Sequence, residues 1–299
     1  MGCGSDRNFD AQTFAAKCEP ADGGLRAALR VVIRAGHSGE DSGSRAQPVC
    51  AKQDTRKIAF QAAADGQNES MTETGKIAAR PIRSFIRRQG RMTRAQHAAL
   101  DTLWPDYGLD PAVRLAPETV FSRRAPLVLE IGFGDGESLA EMAAAHPEKN
   151  YVGIEVHMPG VGHLMLRLKA LALQNVRIYC FDAVEILTHS IPDGSLSGIN
   201  LFFPDPWPKK KHHKRRILTP EFVGLALTKL QQDGIFHAAS DWEDYAMQML
   251  AVLEQNALLE NTAGAGSFAP RPGDRPITKF ERRGLRLGHG VWDLIYRRP

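Results

Sequence analysis

Leu127-Val128-Leu129-Glu130-Ile131-Gly132-Phe133-Gly134-Asp135-Gly136-Glu137 is the stretch from which the architecture follows. A five-residue run that is apolar except for Glu130 and passes directly into glycine reads as a buried strand that enters a tight turn. The same alternation continues downstream. Residues 138–145 read as a helix, 151–156 as a strand, 161–173 as a helix, and 176–181 and 198–203 as strands. A helix over 219–230 has Thr219 as its N-cap, Pro220 in its first turn and Glu221 facing the positive end of the helix dipole. A strand over 235–239, a helix over 242–253 and a final strand over 291–297 complete the pattern. Strands alternating with helices of this length imply an α/β fold, a doubly wound, mostly parallel sheet covered on both faces. In such sheets the ligand lies beyond the carboxyl ends of the strands, so the residues just after each strand carry the function.

The first of these turns holds Gly132, Gly134 and Gly136. Glycines there allow a tight turn and let the backbone lie against a ligand. A dinucleotide-binding turn wants its third glycine one place later, where Glu137 stands. Gly-x-Gly-x-Gly with an acid, Glu130, two residues before it is the Rossmann-like methyltransferase pattern. S-adenosylmethionine brings a sulfonium and an ammonium group, which favour a nearby carboxylate, whereas a pyrophosphate would be repelled. Glu155 closes the second strand, where it can accept ribose hydroxyls, and Asp182 closes the third, placed for an adenine amino group. Each acid alone reads equally well as a helix cap or a solvated carboxylate. Three at successive strand ends favour S-adenosylmethionine as the cofactor.

The fourth strand ends in Phe203-Pro204-Asp205-Pro206-Trp207-Pro208, a turn stiffened on both sides of Asp205. Trp207 is either a core residue of an ordinary turn or a face on which a base could stack. Lys209-Lys210-Lys211-His212-His213-Lys214-Arg215-Arg216 follows, with six permanent charges in eight residues. Such a run is usually only a solvated loop, but here it adjoins the expected transfer site, where a phosphate backbone would lie. Adjacent His212 and His213 do not have metal-ligand spacing, and no metal is expected.

Residues 1–75 are rich in Ala, Gly, Ser and Gln with little apolar period, and read as a disordered extension or an over-long start. Residues 76–110 form a basic arm, with Arg80, Arg83, Arg87, Arg88, Arg91 and Arg94 around Ile82, Phe85 and Ile86, and 111–299 the catalytic domain. Residues 1–76 hold ten basic and ten acidic residues, so the net charge of +4 arises wholly from the remainder, where it is clustered. Clustered positive charge favours a polyanionic partner. Cys3, Cys18, Cys50 and Cys180 are scattered, which argues against a disulfide framework and for a reducing cytoplasm. No apolar run approaches the roughly 18 residues of a membrane helix, and no secretory signal opens the chain.

Taken together, residues 130–136, Gly153-Ile154-Glu155-Val156, residues 203–207 followed by His213-Lys214-Arg215-Arg216, and Thr278-Lys279-Phe280-Glu281 resemble the bacterial tRNA (guanine-N7-)-methyltransferase family. Residues 83–91, Arg-Ser-Phe-Ile-Arg-Arg-Gln-Gly-Arg, resemble that family's N-terminal arm, so the likeness runs from about residue 82 to the end. The resemblance implies methyl transfer from S-adenosylmethionine to N7 of guanine 46 in the tRNA variable loop. It implies cofactor contacts from Glu130, Glu155, Asp182 and Asp205, with Asp205 also catalytic. Lys209, Asp241, Thr278, Lys279, Phe280 and Glu281 are implied as guanine or tRNA contacts, and Lys211, His212, His213, Lys214, Arg215 and Arg216 as RNA contacts. The partner is then tRNA, with no membrane and no obligatory protein partner, the chain being a monomer or homodimer. The residues alone leave open a methyltransferase acting on an exocyclic amino group, a non-catalytic RNA-binding relative, and an NAD-dependent dehydrogenase; the last is disfavoured by Glu137.

Overall fold

The computed structural model describes residues 84–85, 90–286, 288 and 290–299. The expected extension over 1–75, and Arg80, Arg83, Arg87 and Arg88 of the expected arm, lie outside the described residues. The described chain opens with α1 (Arg94–Tyr107) and a short α2 (Pro117–Phe121), then alternates through β1 (Leu127–Ile131), α3 (Glu137–Ala145), β2 (Asn150–Ile154), α4 (Met158–Ala170) and β3 (Val176–Tyr179). After α5 (Ala183–His189) and β4 (Leu196–Phe202) comes a single 3-10 segment (Lys210–Arg215). It is followed by α6 (Pro220–Lys229), β5 (Leu230–Ser240), α7 (Glu243–Glu254), β6 (Glu260–Asn261), α8 (Lys279–Arg286) and β7 (Trp292–Arg297).

The strands make one sheet in the order β3-β2-β1-β4-β5-β7-β6. β1 to β5 pair in parallel. Chain order runs one way from β1 to β3 and the other way from β4 to β5, so the direction of winding reverses between β1 and β4. That reversal opens a crevice at the carboxyl ends, the position where doubly wound sheets bind ligands. Leu129, Val152, Ile154, Ile178, Ile199 and Leu201 are closed to solvent in the central strands. This explains why those strands are mostly apolar: both faces are covered.

Two departures from the sequence reading matter for the site. β7 is antiparallel and inserts between β5 and β6, pairing Asp293 with Ala239 and Ile295 with His237. The expected basic arm also continues into a complete helix, α1, which the composition alone had suggested only in part. A capping box builds its start: Thr93 Oγ1 accepts from Gln96 N at 3.2 Å and Gln96 Oε1 accepts from Thr93 N at 2.8 Å. Gln96 Nε2 then donates to Pro159 O at 3.0 Å, seating α1 on α4. Among the described residues no helix is long and apolar enough to cross a membrane.

Candidate active site at the carboxyl edge of the sheet

All three glycines of the β1 turn are left-handed, with φ of +74° at Gly132, +61° at Gly134 and +77° at Gly136. The space above Gly132 and Gly134 is open, so a ligand can lie directly on their backbone, while a side chain at Gly136 would strike Leu164. Neighbouring elements hold the turn still. Glu155 Oε2 accepts from Gly134 N at 2.8 Å, and its Oε1 accepts from Val156 N at 2.7 Å and His157 N at 3.0 Å. His163 Nδ1 donates to the Asp135 carbonyl at 2.7 Å.

Glu155 is expected to accept ribose hydroxyls; three of its roughly four acceptor positions already take the N–H groups of Gly134, Val156 and His157, leaving Oε2 one site for a ligand. Asp182 is likewise shared: Oδ1 accepts from Val184 N at 2.8 Å and Glu185 N at 3.4 Å, capping α5, a helix the sequence reading did not anticipate. Its cap position was the available signal.

Glu130 lies within β1 beneath this turn, closed to solvent, and its Oε2 has no hydrogen-bond partner in the structure. Burial, with a smaller contribution from the charge of Glu155, pushes its carboxyl up to about 8. An unpartnered buried carboxyl oxygen below two open, left-handed glycines leaves room and an acceptor for a nucleoside whose positive charge would favour loss of the proton that burial retains. The residues present therefore fit S-adenosylmethionine. They fit a pyrophosphate poorly, since Glu137 stands in the first turn of α3.

Across the crevice, Phe203 N donates to Ala239 O at 2.8 Å and the chain then leaves β4 with Phe203 at φ 50°. Trp207 is left-handed as well, at φ 45°. Two non-glycine residues in this region are costly, and such strain tends to collect where a turn must present one side chain. Here it presents Asp205, which is exposed. Trp207 is half-buried and already engaged: Arg215 lies 5.2 Å over its ring, His212 meets its edge at 5.9 Å, and Nε1 donates to Ser84 O at 3.2 Å. The indole thus ties the arm to the β4 turn, in addition to any role as a stacking surface.

Lys209, just before the 3-10 segment, and Lys210, Lys211 and Lys214 on it are exposed, with His212 and His213 half-buried among them. His213 Nε2 lies 3.9 Å from Asp244. Arg216 does not belong with them. It is 2% exposed, and donates to Pro206 O at 2.8 Å, to Asp244 Oδ2 at 2.6 Å and to Gln248, with Tyr245 beneath its guanidinium at 4.7 Å. The expectation that Arg216 contacts RNA is corrected: it fastens the basic loop to α7.

Glu281 is corrected in the same sense. Expected as a guanine contact, it is 1% exposed and bound through both oxygens to Arg275. Of its expected companions, Thr278 is half-buried with Oγ1 accepting from Glu281 N at 3.1 Å, and Asp241 is half-buried at the end of β5. The side chains of Lys279 and Phe280 lie outside the described residues. The structure also brings to this edge Trp242, exposed and directly after Asp241, and the buried Arg275, neither of which the sequence reading singled out. Trp242 carried a signal in its position one residue past a strand end; Arg275, in a Pro-rich polar segment, carried none. Among the described residues no group of His, Cys, Asp or Glu is arranged to hold a metal ion.

A protein-family model described as "Putative methyltransferase" matches residues 124–294. A tRNA (guanine-N(7)-)-methyltransferase of Alkalilimnicola ehrlichii is 59% identical over 228 residues, covering 75% of this chain and 94% of that protein. Proteins of the same name from Methylococcus capsulatus, at 58% identity over 73% of this chain and 95% of theirs, and Alcanivorax borkumensis, at 57% over 75% and 94%, are similar to the same extent.

Proposed function

From membership of the tRNA (guanine-N(7)-)-methyltransferase family, to which this chain belongs, we infer that the carboxyl edge of its sheet performs S-adenosylmethionine-dependent methylation of guanine N7 in tRNA, the target being guanine 46 of the variable loop. The observation that carries the reading is the pairing of a buried, unpartnered Glu130 under open glycines with an exposed Asp205 across the β1–β4 crevice.

S-adenosylmethionine, when bound, supplies a methyl group made electrophilic by its sulfonium. Gly132, Gly134, Glu130, Glu155 and Asp182 would hold it at the ends of β1, β2 and β3. Guanine N7 has an exposed lone pair, so no proton need leave before it attacks. The protein's task is then placement and electrostatics. Holding reacting atoms about 3–3.5 Å apart is worth several kcal/mol of barrier. Asp205, fixed between two prolines, orients the purine edge and stabilises the positive charge that the ring gains. Lys209, Asp241 and Thr278 flank it, and Lys210, Lys211, Lys214 and Arg215 seat the phosphate backbone. A variable-loop guanine is reached with less unstacking than a base in a duplex.

Incubation with labelled S-adenosylmethionine and tRNA lacking 7-methylguanosine, followed by digestion to nucleosides, is expected to give 7-methylguanosine as the labelled product. Label on another atom or nucleoside would end the assignment. Asp205→Asn is expected to lower kcat without removing an acidic limb from the pH–rate profile. Loss of that limb would make Asp205 a general base.

A further inference from the structure

Behind the carboxyl edge lies an ionic cluster that this chemistry does not use. Arg275, 2% exposed, donates from Nη1 to Glu281 Oε2 at 2.7 Å and from Nη2 to Glu281 Oε1 at 3.0 Å. The same Nη2 donates to Asp293 Oδ2 at 3.0 Å, while Nε lies 2.8 Å from Oδ1 as an ion pair without hydrogen-bond alignment. Asp293 is also bonded to His237 Nε2 at 2.7 Å, and Arg271 Nε lies 3.2 Å from Glu281 Oε1. Strand β7 and the first turn of α8 therefore meet on the guanidinium of Arg275, and β5 joins them through the bond of His237 to Asp293. That guanidinium also sits 5.8 Å from the ring of Phe202 and 5.6 Å from that of Phe203, the left-handed residue that begins the Asp205 turn. One residue past Glu281, Arg282 reaches Glu137 at 3.1 Å, at the start of α3 and next to the glycine turn.

A buried ionic cluster is a poor source of stability, because the lost hydration of the charges offsets their attraction. It is a good source of geometry. A planar fork bound to two carboxylates accepts one relative placement of the elements that carry them. We propose that Arg275 is a positioning residue for methyl transfer: by clamping Glu281 of α8 to Asp293 of β7 beneath Phe203, it sets the Thr278 end of α8 against the Asp205 turn. Glu281 then acts through Arg275 and does not touch the guanine. The inference rests on the function proposed above.

The test uses the full chain with Arg275→Met, Glu281→Gln, the double variant and Arg275→Lys. For each, kcat and KM on tRNA lacking 7-methylguanosine are measured beside calorimetric titration with S-adenosylhomocysteine, whose stoichiometry counts folded sites. Misplacement by about 1 Å can cost on the order of 10²-fold in rate, so each single variant is expected to lose roughly that in kcat, with nucleoside affinity and KM changed by less than about threefold. The double variant is expected to lose no more than the worse single one. A loss equal to the product of the two single losses would give Glu281 its own contact with substrate and overturn the proposal, as would an undiminished kcat in Arg275→Met. If Arg275→Met fails to fold, Arg275→Lys decides: it keeps the charge without the fork, and a full kcat in it refutes the clamp. Failure of the wild-type chain to form 7-methylguanosine would instead sink the functional reading, and is scored separately.

Discussion

Glu130 and His212 show how much a single side chain's surroundings decide. Burial raises the Glu130 carboxyl to about 8, so the native chain keeps a proton that the unfolded chain releases near the ordinary carboxylate value. The native state binds more protons throughout that interval, and its stability falls as pH rises through it. Glu130→Gln removes the dependence: its melting temperature is expected to match the wild type at pH 5 and exceed it at pH 8 in the absence of ligand. Equal melting curves at both values would mean Glu130 titrates normally. His212 is shifted in the opposite sense. Burial first, then the charges of Lys211, Arg215, Lys209 and Lys214, hold its imidazole below the usual value. Phosphates that neutralise those cations would raise it again, so tRNA binding takes up a proton and tightens as pH falls from about 7.5 to 5.5. His212→Gln is expected to flatten that slope; the same slope in the variant would assign it elsewhere.

Helices and strands differ in how openly the sequence announced them. β1 through β4 were legible because strands buried on both faces are mostly apolar, and α6 because Thr219 and Pro220 mark its start. α5 was missed because Asp182 served two readings, nucleoside contact and cap, and only the structure shows its bonds to Val184 and Glu185. The direction of β7 was illegible, since a hairpin-free approach to the sheet leaves no local trace in residues 292–297. Close approach between elements was equally hidden. Gly160 of α4 sits so near the glycine turn that an added methyl carbon would lie 2.0 Å from the Gly134 carbonyl oxygen, which is backbone and cannot step aside. Gly160→Ala is therefore expected to displace the turn, weakening S-adenosylhomocysteine binding at least tenfold by calorimetry. Unchanged affinity would mean α4 shifts instead.

Across the chain, burial divides the charges that the motifs single out. Glu130, Glu155, Asp182, Asp205 and Asp241 stand in or just past β1 to β5, yet Arg216 and Glu281 are sealed inside and bonded to other residues of the protein. Sequence spacing cannot distinguish Arg216 from Arg215, because which of two adjacent arginines turns inward depends on Asp244, Gln248 and Tyr245 of a helix nearly thirty residues away. The consequence is measurable through salt. Each phosphate contact contributes about 0.7–0.9 to the slope of log affinity against log salt. Replacing Lys210, Lys211 and Lys214 with Ala is expected to reduce that slope by about two to three, whereas Arg216→Ala lowers the melting temperature instead. If the triple variant keeps the full slope, these lysines do not meet the phosphates.

The interior place of β7 bears on how the protein comes into being. A nascent chain halted between Glu281 and Trp292 would already carry the glycine turn, the strand-end acids and the lysine-rich loop. It would nonetheless hold Arg275 and Glu281 with no answering Asp293 from the sheet. If the Arg275 clamp sets the alignment, an unfinished polypeptide of that length possesses the motifs without it, and methyl transfer is expected only once the closing strand is made.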